Sequence, residues 1–209
     1  MDVAGLMTGA GAYTAAGASM DVSGDLIARA RRGDEEAFRL IFERWARPVA
    51  GFILCMVHGR DAADELAQET FLRAYRNLGR LRDDSKLSTW LFGIARRVAL
   101  EHLRARRRET SPAEPVGDAR RHARAAEGEA DSPAALLLDK ELGRMVGDAL
   151  AALDEDKRTV FALKVYQQRS YEEIAEITGF TPAKVRNDLH RARAEMRRRL
   201  APYMGVTAR

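Results

Sequence analysis

The chain has 209 residues, of which 46% are hydrophobic and 32% charged, and this length allows one ordinary domain or two small ones. The net charge of +4 and the few aromatic residues favour a charge-rich globular chain of helices. One cysteine and the lack of an 18-residue apolar run exclude a disulfide framework, a cysteine-rich zinc site and a transmembrane helix. Since no signal-peptide pattern occurs either, we expect a cytoplasmic protein whose Cys55 is a buried thiol.

The first 23 residues are mainly glycine, alanine, serine and threonine. This composition cannot bury enough apolar surface to offset the entropy of ordering, so we predict a disordered tail over residues 1–23. The Met-Asp-Val sequence at Met1 recurs at Met20, which leaves open that translation starts at Met20.

Helical periodicity begins at Asp25 and predicts a first domain over residues 24–108. Pro48 interrupts its first segment and is expected to kink or divide it. Two further amphipathic helices are predicted from about 62 to 78 and from about 89 to 106. The side chains expected inward are Phe38, Ile41, Phe42, Trp45, Val49, Phe52, Ile53, Leu66, Phe71, Ala74, Leu78, Leu91, Ile94, Ala95 and Val98.

A linker is predicted over residues 109–132, where prolines, glycines and mixed charges replace the helical pattern. Periodicity then returns and predicts a second domain over residues 133–204, with a short tail over 205–209. Its side chains expected inward include Leu142, Met145, Val146, Leu150, Leu153, Val160, Phe161, Leu163 and Val165.

Positive charge is concentrated in two clusters, one in each predicted domain. Residues 96–108 hold six arginines against one glutamate, and residues 184–199 hold seven lysines or arginines against two acidic residues. Clustered Lys and Arg on helices is typical of phosphate binding. Both domains are therefore candidates for contact with nucleic acid.

The sequence Ser170-Tyr-Glu-Glu173 predicts a capping box, in which the serine caps the glutamate amide and the glutamate bonds back. The helix that starts there should end at Gly179. Thr181 and Pro182 then predict the N-cap and first position of a second helix that runs to about Leu200. Two helices joined by a glycine-containing turn indicate a helix-turn-helix.

The polar face of the second of these helices carries side chains that suit base edges and phosphates. The residues are Lys184, Arg186, Asn187, His190, Arg191 and Arg193. The alternative for this segment is an ordinary helical hairpin with a solvated run of charge.

The two halves together resemble conserved regions 2 and 4 of the extracytoplasmic-function (group IV) sigma factors, members of the bacterial sigma-70 family. DAADELAQETFLRAYR at 61–76 is similar to the family's core-polymerase-binding helix, and STWLFGIARR at 88–97 to its minus-ten-reading segment. Residues 170–193 are similar to its minus-thirty-five-reading segment. The resemblance covers about residues 25–106 and 149–203.

The resemblance implies an all-α fold of two small helical domains. It also implies an alternative sigma factor, not an enzyme, which binds the beta-prime and beta subunits of core RNA polymerase and directs promoter recognition, DNA melting and transcription initiation. An anti-sigma factor is implied as a further partner. We expect no catalytic residue, no cofactor, no metal site and no membrane insertion, because the histidines are scattered and no nucleophile motif occurs.

The acidic face of the helix at 61–76 is expected to dock on the basic coiled coil that the family's polymerase partner presents. The alternative is a merely solvated face. The core-polymerase-binding residues are then Asp61, Asp64, Glu65, Gln68 and Glu69.

The minus-ten segment is expected to trap a flipped base of the nontemplate strand, which needs a basic groove and stacking faces or pockets. The residues assigned to it are Lys86, Ser88, Trp90, Arg96, Arg97, Glu101 and Arg104. Trp90 has helical spacing to Ile94, so a place in the core is its alternative role.

The minus-thirty-five residues expected from the resemblance are Ser170, Thr181, Pro182, Lys184, Arg186, Asn187, His190, Arg191 and Arg193. Some positions depart from the family pattern, because Arg97 stands in place of a frequent asparagine and Ala183-Lys184 and Asn187-Asp188 replace Gly-Thr and Ser-Arg pairs. Asp188 would repel phosphate if it faced DNA. The promoter sequence cannot therefore be transferred from relatives.

Two other functions fit parts of the chain. The first is a helix-turn-helix regulator that acts without being a polymerase subunit, and the second is a helical protein that sequesters a partner. The acidic helix argues against the first, and the paired basic clusters argue against the second.

Overall fold

The computed structural model describes residues 24–57, 59–109 and 133–203, with side chains in the last range from residue 141 onward. The described chain is helical and contains no strand, and it forms two helical domains, which confirms the predicted fold class. The predicted tails and linker lie outside or at the edge of the described residues. Within those residues, no helix combines the length and apolarity needed to cross a bilayer.

The first domain contains four helices: α1 (Gly24–Arg31), α2 (Glu35–Val57), α3 (Arg60–Asn77) and α4 (Leu87–Glu109). Two 3-10 turns, Leu78–Arg80 and Asp84–Lys86, lie in the connection between α3 and α4. Contrary to one expectation, Pro48 does not divide the first long segment, because α2 continues through it for 23 residues.

The core of the first domain is built on aromatic edge contacts from α2 to α4. The ring of Phe92 lies 5.6 Å from that of Phe52 and 6.2 Å from that of Trp45, each pair nearly perpendicular. Phe42, predicted to face inward, is instead 39% exposed and contacts Phe71 at the edge of the bundle. Its place on the helix brings it to the rim between α2 and α3, where burial is incomplete.

The second domain contains α5 (Pro133–Ala151), α6 (Glu155–Phe161), α7 (Tyr171–Thr178) and α8 (Pro182–Leu200). A π-helical turn, Ala162–Tyr166, extends α6, and a 3-10 turn, Ala201–Tyr203, follows α8.

The predicted capping chemistry sets the bounds of the last two helices. Ser170 and Glu173 form the complete capping box at the start of α7, and Gly179 ends that helix with a φ of +76°, which favours glycine. Thr181 caps α8, and Pro182 occupies its first turn. The helix-turn-helix is thus confirmed, and its two helices pack through Ile174, Ile177, Val185 and Leu189, all buried.

The two domains share one hydrophobic core, which the sequence did not predict. Arg158 of α6 is buried and donates to the carbonyl oxygens of Ala151, Leu153 and Met56, at 2.8, 2.7 and 2.8 Å. Met56 belongs to the C-terminal end of α2, so this guanidinium joins the domains. On another side of the molecule, α7 packs on α4.

Candidate functional site

The predicted core-polymerase-binding side chains lie along one side of α3. Asp61, Asp64, Glu65 and Gln68 are exposed, while Glu69 is half-buried and accepts a hydrogen bond from Arg73 at 2.6 Å. The helix therefore presents an acidic surface to solvent.

The same side of α3 continues into apolar side chains that sequence reasoning did not assign. Leu72 and Tyr75 are 50% and 44% exposed, and their spacing from Gln68 places them on the helical face that Gln68 occupies. The ring of Tyr75 also contacts Phe38 of α2 edge-on. Large exposed apolar side chains beside charges are typical of protein interaction surfaces. The helical spacing from Gln68 could have indicated both residues.

Arg73 connects the acidic side of α3 to the basic helix α4. It forms ion pairs with Glu69 at 2.6 Å and with Glu101 at 2.7 Å, and these hydrogen bonds raise the pKa of its guanidinium. Glu101, assigned to minus-ten DNA, is therefore turned toward α3 and partly neutralised.

The connection between α3 and α4 is held by Arg31, the last residue of α1. Its Nη2 donates to the Leu81 carbonyl at 2.6 Å and to the Asp84 carboxylate. Asp83 caps the following turn by accepting a hydrogen bond from the Ser85 amide at 3.0 Å. Arg31 was missed from the sequence, since nothing in the helical pattern of α1 relates it to a turn about 50 residues away.

A groove of about 580 Å³ runs along α4. Trp90 lines it and also packs against the core. Arg97 and Arg104 line it and are exposed. The cationic side chains that line the groove are Arg80, Arg82, Lys86, Arg96, Arg97 and Arg104. Asp83, Glu101 and Glu176 also line the groove, so its cations outnumber its carboxylates by six to three.

Arg96 is half-buried, and this desolvation lowers the pKa of its guanidinium. Its guanidinium carbon lies 5.4 Å from the ring centroid of Phe180, which follows α7. Its buried Nε has no hydrogen-bond partner among the described residues. Arg96 therefore lies between the two domains as well as on the basic helix.

Lys86 and Ser88 are also engaged by the second domain. Lys86 Nζ donates to Glu176 Oε1 at 2.6 Å, and Ser88 Oγ accepts a hydrogen bond from Arg169 Nη1 at 2.9 Å. Six of the seven predicted minus-ten residues, all except Ser88, line the groove along α4, and α7 borders the groove through Glu176 and Ile177.

The polar face of α8 is open to solvent. The five assigned side chains that are exposed there are Arg186, Asn187, His190, Arg191 and Arg193. Because residues three and four apart neighbour each other on a helix, this set forms one continuous strip. Its amide and guanidinium donors suit direct contact with a DNA groove.

The N-terminal turn of α8 is arranged differently from that strip. Lys184 Nζ donates to Asp188 at 2.6 Å and to Asp156 at 2.9 Å, and these hydrogen bonds raise the pKa of the Lys184 ammonium. Asp188 is buried, so it does not present its charge to a groove. Thr181 is exposed and accepts a hydrogen bond from the Lys184 amide at 3.2 Å, whereas Ser170 serves the capping box of α7.

Comparison with protein families gives two matches that follow the two domains. A family model described as Sigma-70 region 2 matches residues 41–109, and one described as Sigma-70, region 4 matches residues 143–196. The first match contains α3 and α4, and the second contains α7 and α8 up to residue 196.

Two solved structures show the same fold. The sigma factor RpoE in complex with the anti-sigma factor NepR from Bartonella quintana has a TM-score of 0.64 and 24% identity, covering 79% of this chain and 97% of that chain. CnrH in complex with the cytosolic domain of CnrY has a TM-score of 0.63 and 23% identity, covering 85% and 96%.

Two similar proteins match this chain over most of their length. The RNA polymerase sigma-H factor of Pseudomonas aeruginosa PAO1 is 34% identical over 184 residues, covering 86% of this chain and 94% of that protein. The ECF RNA polymerase sigma-E factor of Escherichia coli K12 is 34% identical over 181 residues, with the same coverages. The two family matches and this extent of identity establish that the chain belongs to the extracytoplasmic-function sigma factors of the sigma-70 family.

Proposed function

We propose that this sigma factor uses α3 to bind core RNA polymerase, α4 with its preceding turns to hold the minus-ten element, and α8 to bind the minus-thirty-five element. The observation that supports this division most strongly is the exposed strip on α8, whose caps and packing fix it in a helix-turn-helix. The protein acts by binding and positioning, without catalysis of its own.

On α3, the proposed polymerase surface combines Asp61, Asp64, Glu65, Gln68 and Glu69 with the exposed apolar Leu72 and Tyr75. Carboxylates speed association with a basic partner and fix its orientation, while apolar side chains that become buried on binding supply most of the affinity. A basic helical element of the polymerase beta-prime subunit fits this combination, and we propose the beta subunit as a partner of the second domain.

On α4, Arg97 and Arg104 offer exposed guanidinium groups for phosphates, and the partly buried Trp90 lines the same groove. Ser88, Lys86 and Arg96 complete this surface only when α7 has moved away, since each of them contacts the second domain. Glu101 orients α4 through Arg73 and is proposed as a support for the groove.

On α8, we propose that Arg186, Asn187, His190, Arg191 and Arg193 enter the major groove. Lys184 supports the helix N-terminus through its two carboxylate partners and contacts phosphate at most through its remaining donor. Ser170, Thr181 and Pro182 are proposed to fix the helix ends, so their contribution to DNA binding is indirect.

An anti-sigma factor is proposed as a regulatory partner, in line with the family to which the chain belongs. The site of action is the cytoplasm, where core polymerase and promoter DNA are found together. The partner surface that such a factor would need includes the apolar residues on α3, which polymerase also requires.

The experiment that tests the proposal is capture of purified core polymerase on the immobilised protein, followed by run-off transcription from promoters selected from genomic fragments. Glu65→Lys with Gln68→Ala should abolish capture, while Arg197→Ala, an exposed change elsewhere, should leave it unchanged. If the wild-type chain binds no core polymerase, or yields no promoter-dependent transcript, the proposal is wrong.

A further inference from the structure

The first turn of α8 lies where a helix-turn-helix commonly meets base edges, yet its polar groups are already engaged within the protein. Pro182 has no amide hydrogen, and the Lys184 amide donates to Thr181 Oγ1 at 3.2 Å. The Lys184 ammonium donates to Asp188 at 2.6 Å and to Asp156 at 2.9 Å. This turn therefore offers DNA fewer donors than its sequence indicates.

Three groups surround the Lys184 ammonium. An ammonium has three donors, and the two carboxylates accept from two of them. Its nitrogen also lies 4.4 Å from the ring centroid of Phe180, within the range of a cation–π contact. The hydrogen bonds to the carboxylates raise the pKa of the ammonium, so it stays charged and paired at neutral pH. A phosphate would have to displace at least one of these groups to reach Lys184.

Asp188 makes that displacement costly. Its side chain is only 10% exposed, and a buried carboxylate that loses its partner is strongly unfavourable. Lys184 lies four residues earlier on the same helix, so the pair spans a single turn. Transfer of the ammonium to a phosphate would leave the Asp188 charge uncompensated. Pairing inside the protein is therefore favoured over pairing with DNA.

Asp156 extends this cluster to a second helix. It belongs to the first turn of α6, whereas Lys184 belongs to the first turn of α8, so the ammonium joins the N-terminal ends of the two helices. The three charged side chains together carry a charge of −1 (+1 − 2), which opposes the approach of a phosphate. The cluster thus fixes this end of α8 and keeps phosphate away from it.

We propose that Asp156 and Asp188 withhold Lys184 from DNA, so that Lys184 is a positioning residue of α8 and contacts with the minus-thirty-five duplex begin at Arg186. The exposed strip that starts at Arg186 carries the base and phosphate contacts, and the Lys184 cluster holds the end of the helix that presents the strip. This inference deepens the assignment of α8 to duplex DNA and rests on the proposed function.

The salt dependence of duplex binding distinguishes a lysine that contacts phosphate from one that does not. Each phosphate contact adds about 0.9 to the slope of log affinity against log salt concentration. Fluorescence anisotropy of the full chain on a promoter duplex selected from genomic fragments measures this slope. Lys184→Gln should leave the slope unchanged and weaken binding by about threefold at most, through the loosened helix end. Arg186→Gln with Arg191→Gln is the matched control and should lower the slope by about 0.9 or more.

The converse variant releases the ammonium. Asp156→Asn with Asp188→Asn keeps the shape of both side chains and removes both charges, so Lys184 should reach a phosphate, steepen the slope by about 0.9 and tighten binding about fivefold. Addition of Lys184→Gln should return the slope to that of the parent, which assigns the gain to this lysine. Glu172→Gln removes an exposed carboxylate at the start of α7 and should leave the slope unchanged.

A cooperative thermal melt shows whether each variant is folded. Should the double aspartate variant fail to fold, Asp156→Asn alone, at a position about half exposed, should still steepen the slope by a smaller amount. A slope that falls in Lys184→Gln as it does in the arginine control would overturn the proposal, as would an unchanged slope in the folded aspartate variant.

Failure of the proposed function has a different signature. The parent chain would then bind the selected duplex no more tightly than a scrambled duplex, and it would give no transcript with core polymerase.

Discussion

The α4 face and the α8 face are both basic helical surfaces, yet the structure treats them in opposite ways. On α8, five assigned side chains face solvent. On α4, Lys86, Ser88 and Arg96 are engaged by the second domain. On the proposed assignment, the α8 surface is accessible to duplex DNA, whereas part of the α4 surface is covered by α7. The difference suits an upstream element bound as duplex and a downstream element bound as a melted strand.

The largest expected effect is on the free energy of unfolding, through the hydrogen bonds by which Arg158 connects the two domains. Arg158→Ala should lower the free energy of unfolding by about 3 kcal/mol, because it leaves buried carbonyl oxygens without donors. Urea denaturation followed by circular dichroism measures this change. Arg197→Ala is the exposed control and should shift the midpoint little. A destabilisation below about 1 kcal/mol would show that water replaces the guanidinium.

The open α8 face is tested next. Asn187→Ala and Arg191→Ala should each weaken binding of the free chain to minus-thirty-five duplex DNA by about tenfold, within the range of 1 to 3 kcal/mol per good contact. Fluorescence anisotropy on a selected promoter duplex measures the loss. Arg169→Ala should leave duplex binding unchanged, because its contacts lie on the α4 side. Equal effects of all three variants would remove the distinction between the faces.

The next prediction concerns Arg31, whose hydrogen bonds hold the turns that precede α4. Arg31→Ala removes charge-assisted hydrogen bonds to the turns before α4, so open-complex formation should fall by about tenfold while capture of core polymerase is unchanged. Permanganate footprinting of the melted strand provides the measurement. Arg32→Ala, which alters the neighbouring exposed arginine, is the control. A loss that a pre-melted template does not rescue would assign Arg31 to general stability.

The smallest expected effect is at the capping box beneath the interface. Ser170→Ala should lower the free energy of unfolding by about 1 kcal/mol, as loss of an N-cap does. Burial of Glu173 opposes its ionisation, but hydrogen bonds from the Ser170 amide and Arg169 outweigh it and hold the pKa of that carboxyl below its usual value.

A lowered folded-state pKa gives stability that is present above the ordinary glutamate range and is lost as the pH falls through the folded value. Denaturation curves at pH 7 and at pH 4 should therefore differ less for Glu173→Gln than for the parent. An unchanged pH difference would mean that Glu173 does not contribute to it.

Local chemistry explains why the helix-turn-helix could be predicted so closely. The capping box at Ser170, the turn at Gly179 and the N-cap at Thr181 are decided by residues within a few positions of one another. The exposed strip on α8 follows from the helical period alone. Of the two outcomes expected at Pro48, the division of the helix does not occur, since buried residues of α2 on both sides of the proline maintain the helix.

The amino-acid sequence by itself determined the helices of the two domains, the ends of α7 and α8 and the placing of positive charge, because these depend on short-range spacing. Only the tertiary structure decided that Asp188 is buried beside Lys184, that Arg31 holds a turn 50 residues away and that Arg169 lies over the ring of Phe92 in α4. Such contacts join residues distant along the chain, and their energies depend on burial and geometry that no local pattern encodes.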